Sequence, residues 1–198
     1  MMVDFIGPLE IAHLVKRPSK ICKTPYVADV KIQSSDKTIL AHTPSLGCSG
    51  LIDNGTNCKM LIKELESPKI CSHRVEFVQT INNTILCVNP KMSEDLVEKL
   101  FINKLFPNDL ILNNYAELNR EVSFTMNNGE KSRFDFAGTC SNNKKFIVEV
   151  KSVPLVNSQN ISYFPDGYRK KKGDIVSPRA LKHIEHLKEM CNIGYETF

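Results

Sequence analysis

The chain has no tryptophan, no CxxC pair and no long apolar run. Its seven cysteines are scattered, which argues against a disulfide framework and also against a zinc site, because zinc ligands cluster in sequence. No stretch approaches the roughly 20 apolar residues that a membrane span needs, and the N-terminus lacks the pattern of a signal peptide. We therefore expect a soluble intracellular protein, cytoplasmic or nuclear, that makes no membrane contact.

Charge of neither sign dominates, since 26 lysines and arginines face 22 acidic residues and give a net charge of +4. This excess permits a polyanionic partner without requiring one. The densest basic run lies in a predicted loop between residues 157 and 178, and it either follows phosphates or is simply solvated. It consists of Arg169, Lys170, Lys171 and Lys172.

Short β-prone runs separated by turn clusters fill residues 21 to 90. The runs lie at 26–32, 38–42, 74–78 and 85–88. Strands at this spacing predict a small barrel. We place a domain boundary at about residue 88, so that a barrel occupies 1–88 and a second domain occupies 89–198.

The second domain alternates helix and strand, which makes the fold class mixed α/β. Ser93 is the predicted N-cap of a helix that places Leu96, Val97, Leu100, Phe101 and Leu105 at helical spacing. Strands are predicted at 121–126, 132–137 and 145–153. A last helix at 179–191 ends at Gly194 and has one apolar face formed by Leu181, Ile184, Leu187 and Met190.

Three charged residues lie on two of these strands. Side chains alternate along a strand, so Glu149 and Lys151 share a face, and the turn at 141–143 brings Asp135 alongside Glu149. Two carboxylates and a lysine suit phosphodiester hydrolysis, because a Mg²⁺ or Mn²⁺ ion relieves the repulsion and activates water. The carbonyl of Val150 is the expected further ligand. The alternative is a surface salt bridge between Glu149 and Lys151.

A further catalytic carboxylate is expected from Glu98 on the preceding helix, with Glu94 and Glu121 as rivals. Backbone N–H groups at the start of the last helix also favour phosphate, so Arg179, Lys182 and His183 join the candidate DNA contacts. His183 and His186, three residues apart, are interpreted as helix-surface or phosphate-facing residues.

Several motifs in fixed order resemble the sugar fermentation stimulation protein (SfsA) family across about residues 20 to 190. They are AHTP at 41–44, REV at 120–122, RFDF at 133–136, VEVKSV at 148–153, FPD at 164–166 and KHI at 182–184. The resemblance implies an OB-like barrel followed by a restriction-endonuclease-like domain of the PD-(D/E)xK type, with Asp135, Glu149 and Lys151 on its motif. It also implies DNA as the partner, and we add His42 and Arg133, which lie in the matching motifs, to the candidate DNA contacts.

Family members continue with an apolar strand, so residues 194–198 are expected to begin a truncated C-terminal strand. A homo-oligomer is one way to complete that sheet edge. Two hypotheses follow: a DNA-binding protein with a metal-dependent nuclease core, or a non-enzymatic DNA-binding regulator that retains an inactive nuclease fold. A plain interaction module is a third reading, but it leaves the convergence of the three charged residues unexplained.

Overall fold

The computed structural model describes residues 6–45, 50–153, 159, 161 and 178–198. Backbone contacts divide the chain into two compact units, the first running to Met92 and the second containing Ser93–Ser152 together with the C-terminal helix and strand. The expected fold class, an OB-like barrel followed by a mixed α/β domain, is confirmed. Within the described parts, no helix combines the length and the apolar character that crossing a membrane requires.

The first unit is a barrel of five strands that closes through a parallel pairing between the third strand and the fifth. A sixth strand pairs with the fifth. The six strands are β1 Glu10–Lys16, β2 Val27–Ile32, β3 Thr38–His42, β4 Lys59–Glu64, β5 His73–Gln79 and β6 Ile85–Cys87. The sequence pattern identified four of them and missed β1 and β4.

The barrel interior is apolar, and Glu76 of β5 is a buried acidic residue beside it. Val30, Ile62 and Val75 are fully buried in a single core cluster. The Glu76 carboxylate, 1% exposed, accepts hydrogen bonds of 2.7 Å from Arg74 and from the side-chain amide of Asn89. A buried carboxylate is tolerated when it is paired and hydrogen-bonded in this way.

Helix α1, Pro90–Asn103, begins three residues before the predicted N-cap. The side-chain oxygen of Asn89 accepts a hydrogen bond of 3.2 Å from the Lys91 backbone N–H, so Asn89 caps the helix and the assignment to Ser93 is wrong. Proline is favoured at the first helical position, which explains the start at Pro90. Of the predicted apolar face, Phe101 is buried, whereas Leu96 and Leu105 are more than half exposed.

The second unit contains a four-stranded sheet in the order β10-β9-β8-β7. A 3₁₀ helix, Ile111–Asn114, precedes it, and β10 pairs in parallel with β9 while the other neighbours are antiparallel. The strands are β7 Tyr115–Thr125, β8 Lys131–Cys140, β9 Lys145–Val148 and β10 Glu196–Thr197. Strand β9 is shorter than predicted, so Glu149 and Lys151 follow it rather than lie within it.

Two apolar clusters cover the two faces of this sheet. Phe101 of α1 packs with Phe136 and Phe146 on one face. Ile147 packs with Met190 of helix α2, Pro178–Asn192, on the other. The sheet tolerates no side chain at Gly138, where a Cβ would lie 2.0 Å from the backbone oxygen of Glu117 and 2.6 Å from the Phe146 ring.

Helix α2 ends where the sequence predicts. Gly194 has a φ of +97°, and the N–H of Tyr195 donates to the Met190 carbonyl at 3.1 Å, which is the hydrogen bond of a Schellman cap. The predicted apolar face is confirmed at Met190, which is buried, and at Leu187, which packs in the same cluster. It is wrong at Ile184, which is 63% exposed, and it did not include His186, which is buried.

Asp29 on β2 holds the segment that follows β1. Its Oδ1 accepts a 2.6 Å hydrogen bond from the Ser19 hydroxyl, and its Oδ2 accepts one of 2.9 Å from the Lys20 N–H. Burial acts to raise the pKa of Asp29, but these hydrogen bonds and the charges of Lys20 and Lys16 outweigh it and lower the pKa below its usual value. The folded state therefore favours the ionised form.

We expect Asp29→Asn to destabilise the barrel by about 1–3 kcal/mol at neutral pH, because an amide cannot accept both hydrogen bonds as the carboxylate does. Because the lowered pKa stabilises the fold only while Asp29 is ionised, the difference should shrink as the pH falls below about 4. Denaturant unfolding at several pH values measures it. Asp36→Asn is the matched control, since Asp36 pairs with Lys31 while 83% exposed, and an equal loss in both variants would contradict the prediction.

Candidate functional site

The register of β8 and β9 places two carboxylates side by side at the end of the sheet. Phe136 lies opposite Val148, and one further antiparallel step places Asp135 opposite Glu149. The Val150 N–H donates a 2.7 Å hydrogen bond to Asp135 Oδ2, which ties the segment after β9 to β8. The structure therefore places Asp135 and Glu149 next to each other, as the hairpin geometry predicts.

Near Asp135 the side chains of β8 change the face of the sheet on which they lie. Residues two apart on a regular strand share a face, yet Phe134 packs in the cluster of α2 and Phe136 packs against Phe101 of α1. On the neighbouring strand Glu121 has a φ of +53°, which is a strained conformation for a non-glycine residue. Asp135 thus lies where the β7–β8 ribbon turns over, and backbone irregularity of this kind is frequent at functional sites.

Glu149 has two very different carboxylate oxygens. Its side chain is only 6% exposed. Oε1 accepts hydrogen bonds from Lys151 Nζ and from His183 Nδ1. Oε2 is buried and has no hydrogen-bond partner in the part of the chain that the structure describes. An unsatisfied buried carboxylate oxygen is costly. Glu149 Oε2 is therefore suited to bind a ligand that does not belong to the polypeptide chain.

Asp135 is ionised less readily than an ordinary aspartate. Burial is the main cause of the raised pKa of its carboxyl group, and the Val150 N–H offsets it in part. The negative charges of Glu149 and Glu94 raise the pKa further, whereas Lys151 lowers it. Burial and the neighbouring carboxylates therefore both act against the negative charge of Asp135.

The acidic residues of α1 surround Arg120 of β7. Arg120 donates to Glu98 at 2.5 Å, to Asp95 at 3.2 Å and to Glu94 at 3.5 Å, and its guanidinium lies 5.4 Å from the centre of the Phe136 ring. The structure therefore places the candidate catalytic Glu98 in an ion pair. Of the two helix glutamates, Glu94 is the one whose charge acts on Asp135.

The second rival carboxylate, Glu121, lies on β7 at the level of Asp135. It pairs with Arg133 at 3.4 Å and its side chain is 47% exposed. Arg133, a candidate DNA contact, is itself 62% exposed.

Oxygen donors available at the sheet end fit a small hard cation. In the described residues no group of three or more histidine, cysteine or acidic side chains is arranged to hold a metal. Two carboxylates, Asp135 and Glu149, with the carbonyl of Val150 nearby, are the donors present. Mg²⁺ usually keeps several waters and takes only one or two carboxylates from the protein, so this donor set suits it. Lys151 Nζ lies 3.4 Å from the Val150 carbonyl oxygen.

The remaining candidate DNA contacts have separate environments. Lys182 pairs with Glu130 at 2.6 Å, and Arg179 is exposed at the start of α2. His42 lies on β3 in the barrel unit, where burial lowers its pKa, as does the charge of Arg74. Of the described candidates, His183 contacts the carboxylate site directly. The basic run of Arg169, Lys170, Lys171 and Lys172 lies outside the described residues.

Sequence reasoning missed the contact between His183 and Glu149. It also placed His186 on the surface, which is wrong, because His186 is 5% exposed and its Nε2 lies 3.8 Å from Glu130. The available signal was helical spacing, since His183, Leu187 and Met190 follow one another at intervals of four and three. That spacing places His183 on the stripe that packs against the sheet.

The fold and this sheet-end site describe a barrel protein with an appended α/β domain that bears paired carboxylates and a lysine. A family model described as the sugar fermentation stimulation protein RE domain (SfsA) matches residues 91–198. That match covers more than half of the chain, which therefore belongs to the sugar fermentation stimulation protein family.

Curated relatives extend the similarity over nearly the whole sequence. A sugar fermentation stimulation protein homolog of Marinomonas sp. (strain MWYL1) is 27% identical over 98% of this chain and 67% of its own length. The homologs of Aliivibrio fischeri and Shewanella frigidimarina are 29% and 28% identical, each over 98% of this chain and 74% of their own length.

We expect Asp135→Asn to raise the melting temperature at neutral pH in the presence of EDTA by about 2–4 °C, which corresponds to about 1 kcal/mol. Asparagine keeps an acceptor for the Val150 N–H and removes a charge that Glu149 and Glu94 repel. Thermal unfolding measures the change. Asp109→Asn, at an exposed turn position, should leave the melting temperature unaltered, and a lower value for Asp135→Asn would show that the pair is not under electrostatic strain.

Proposed function

We propose that this chain binds DNA and hydrolyses its phosphodiester bonds with Mg²⁺ or Mn²⁺. The observation that supports this proposal most strongly is the Asp135–Glu149 pair, in which one buried oxygen has no partner and one carboxyl group has a raised pKa. The salt bridge between Lys151 and Glu149, which the structure also contains, accounts for neither feature. The position of both groups beside the end of the buried strand β9 is also costly unless they have a role.

Each residue of the site has a separate task in this proposal. Asp135 and Glu149 hold the cation, with the Val150 carbonyl beside them. When bound, a divalent cation supplies positive charge to the phosphoryl group and makes water a better nucleophile at neutral pH. Lys151, whose side chain is 36% exposed, extends from the same segment and stabilises the negative charge that develops on the phosphate.

DNA is the proposed substrate because the chain is mildly basic and combines this site with an OB-like barrel. Arg133, Arg179 and Lys182 are exposed or half-exposed residues of the second unit that would bind backbone phosphates. Contacts of this kind bind DNA irrespective of its sequence and weaken as salt is added.

One observation favours a second candidate, a DNA-binding protein without catalysis. Lys151 Nζ donates to Glu149 Oε1 in this structure, so the lysine has to leave that pair before it acts on a phosphate. A protein in which the pair is permanent would bind DNA and leave it uncut.

The experiment is a cleavage assay on single-stranded, duplex and branched DNA, with Mg²⁺, Mn²⁺ or EDTA. We expect cleavage that requires a cation, and a loss of at least about 100- to 1,000-fold in Asp135→Asn, Glu149→Gln and Lys151→Met, the scale reported for loss of one electrostatic catalytic group. Asp109→Asn is the matched control and should cut at the wild-type rate. Cleavage that persists in Asp135→Asn would assign the activity to a contaminant or another site.

DNA binding measured in parallel separates the two candidates. Salt-sensitive binding that survives Asp135→Asn, with no cutting of any substrate by the wild type, would support the non-catalytic protein. Absence of both binding and cutting at low salt would overturn both candidates.

A further inference from the structure

The two oxygens of the Glu149 carboxylate differ in their hydrogen bonds, because two different parts of the second unit both bind the same oxygen. Oε1 accepts hydrogen bonds from Lys151, two residues along the chain, and from His183 on α2. Oε2 is buried without a partner in the described part of the chain. This asymmetry fixes which oxygen is available to a ligand, because a carboxylate held at one oxygen cannot rotate without breaking those hydrogen bonds.

Of the two donors, His183 is the better anchor. Its side chain is 14% exposed and lies on a helix, whereas that of Lys151 is 36% exposed and flexible. An ionised carboxylate oxygen only accepts hydrogen bonds, so the ring nitrogen that faces it, Nδ1, must carry the proton. His183 can therefore keep hold of Oε1 when Lys151 turns towards a phosphate.

We propose that His183 is a positioning residue that holds Glu149 Oε1 and leaves Oε2 as the single oxygen offered to the cation. The proposal rests on the function proposed above and assigns to α2 a part in it that the Asp135, Glu149 and Lys151 set does not contain. Residues that orient a metal ligand by hydrogen bonding act through that ligand and not on the substrate.

A consequence for metal selectivity follows. Mg²⁺ and Mn²⁺ accept one carboxylate oxygen at a time in octahedral sites, whereas Ca²⁺ readily takes both oxygens of one carboxylate. Because His183 occupies Oε1, Glu149 is restricted to the one-oxygen mode. The site should therefore discriminate against Ca²⁺, and removing the imidazole should weaken that discrimination.

Calorimetric titration of the whole chain with MnCl₂, MgCl₂ and CaCl₂, without DNA, tests this. In His183→Ala we expect Mn²⁺ affinity to fall by roughly 10- to 100-fold, as is usual when a residue orienting a metal ligand is removed, and Ca²⁺ affinity to fall less, so that the ratio of Mn²⁺ to Ca²⁺ affinity decreases. In His183→Asn both affinities should return towards the wild type, because the asparagine amide N–H replaces Nδ1–H. Lys188→Ala, on an exposed position of α2, is the matched control and should bind as the wild type.

The outcomes distinguish failure of this proposal from failure of the proposed function. If the wild type binds no divalent cation, or Asp135→Asn binds as well as the wild type, the proposed function itself fails. If Asp135→Asn abolishes binding while the affinity ratio is unchanged in His183→Ala, only the role of His183 is overturned. If His183→Ala does not fold, a folded His183→Asn variant that fails to bind Mn²⁺ overturns that role equally.

Discussion

The organisation of the second unit depends on one electrostatic constraint, which is the placing of two carboxylates next to each other at the end of a buried strand. Antiparallel pairing of β8 with β9 fixes Asp135 beside Glu149. Three neighbouring groups compensate for part of that charge: the Val150 N–H donates to Asp135, while Lys151 and His183 donate to Glu149. Glu94 adds to the repulsion on Asp135, and Glu149 Oε2 has no hydrogen-bond partner among the described residues, and these two features are the basis of the proposed cation site.

The sequence predicted the pair because it depends on local geometry alone. The turn at 141–143 sets the register, and alternation along the strand then determines which residues meet. Strand β9 ends at Val148, but the neighbouring positions of Asp135 and Glu149 are kept. The Glu149 N–H still donates a hydrogen bond to the carbonyl of Phe198.

Features that depend on tertiary packing were not predictable in the same way. On α2 the buried residues include His186 and exclude the apolar Ile184, and residue type alone favours the opposite assignment. Helix α1 is capped by Asn89 and not by the predicted Ser93, and the Asn89 side chain is held by a hydrogen bond to the barrel residue Glu76. Closure of the barrel by β3 with β5 is a long-range pairing that periodicity does not report.

The hairpin tip beyond the turnover in the β7–β8 ribbon is fastened to α2. Glu130 binds Lys182, and the Asn127 N–H donates to Glu189 at 2.6 Å. One end of the ribbon therefore contacts the helix that contains His183, and the ribbon itself contains Asp135. Helix α2 therefore contacts the hairpin tip through Lys182 and Glu189 and the carboxylate pair through His183, so a change in the length of the tip should be less neutral than its exposed position suggests.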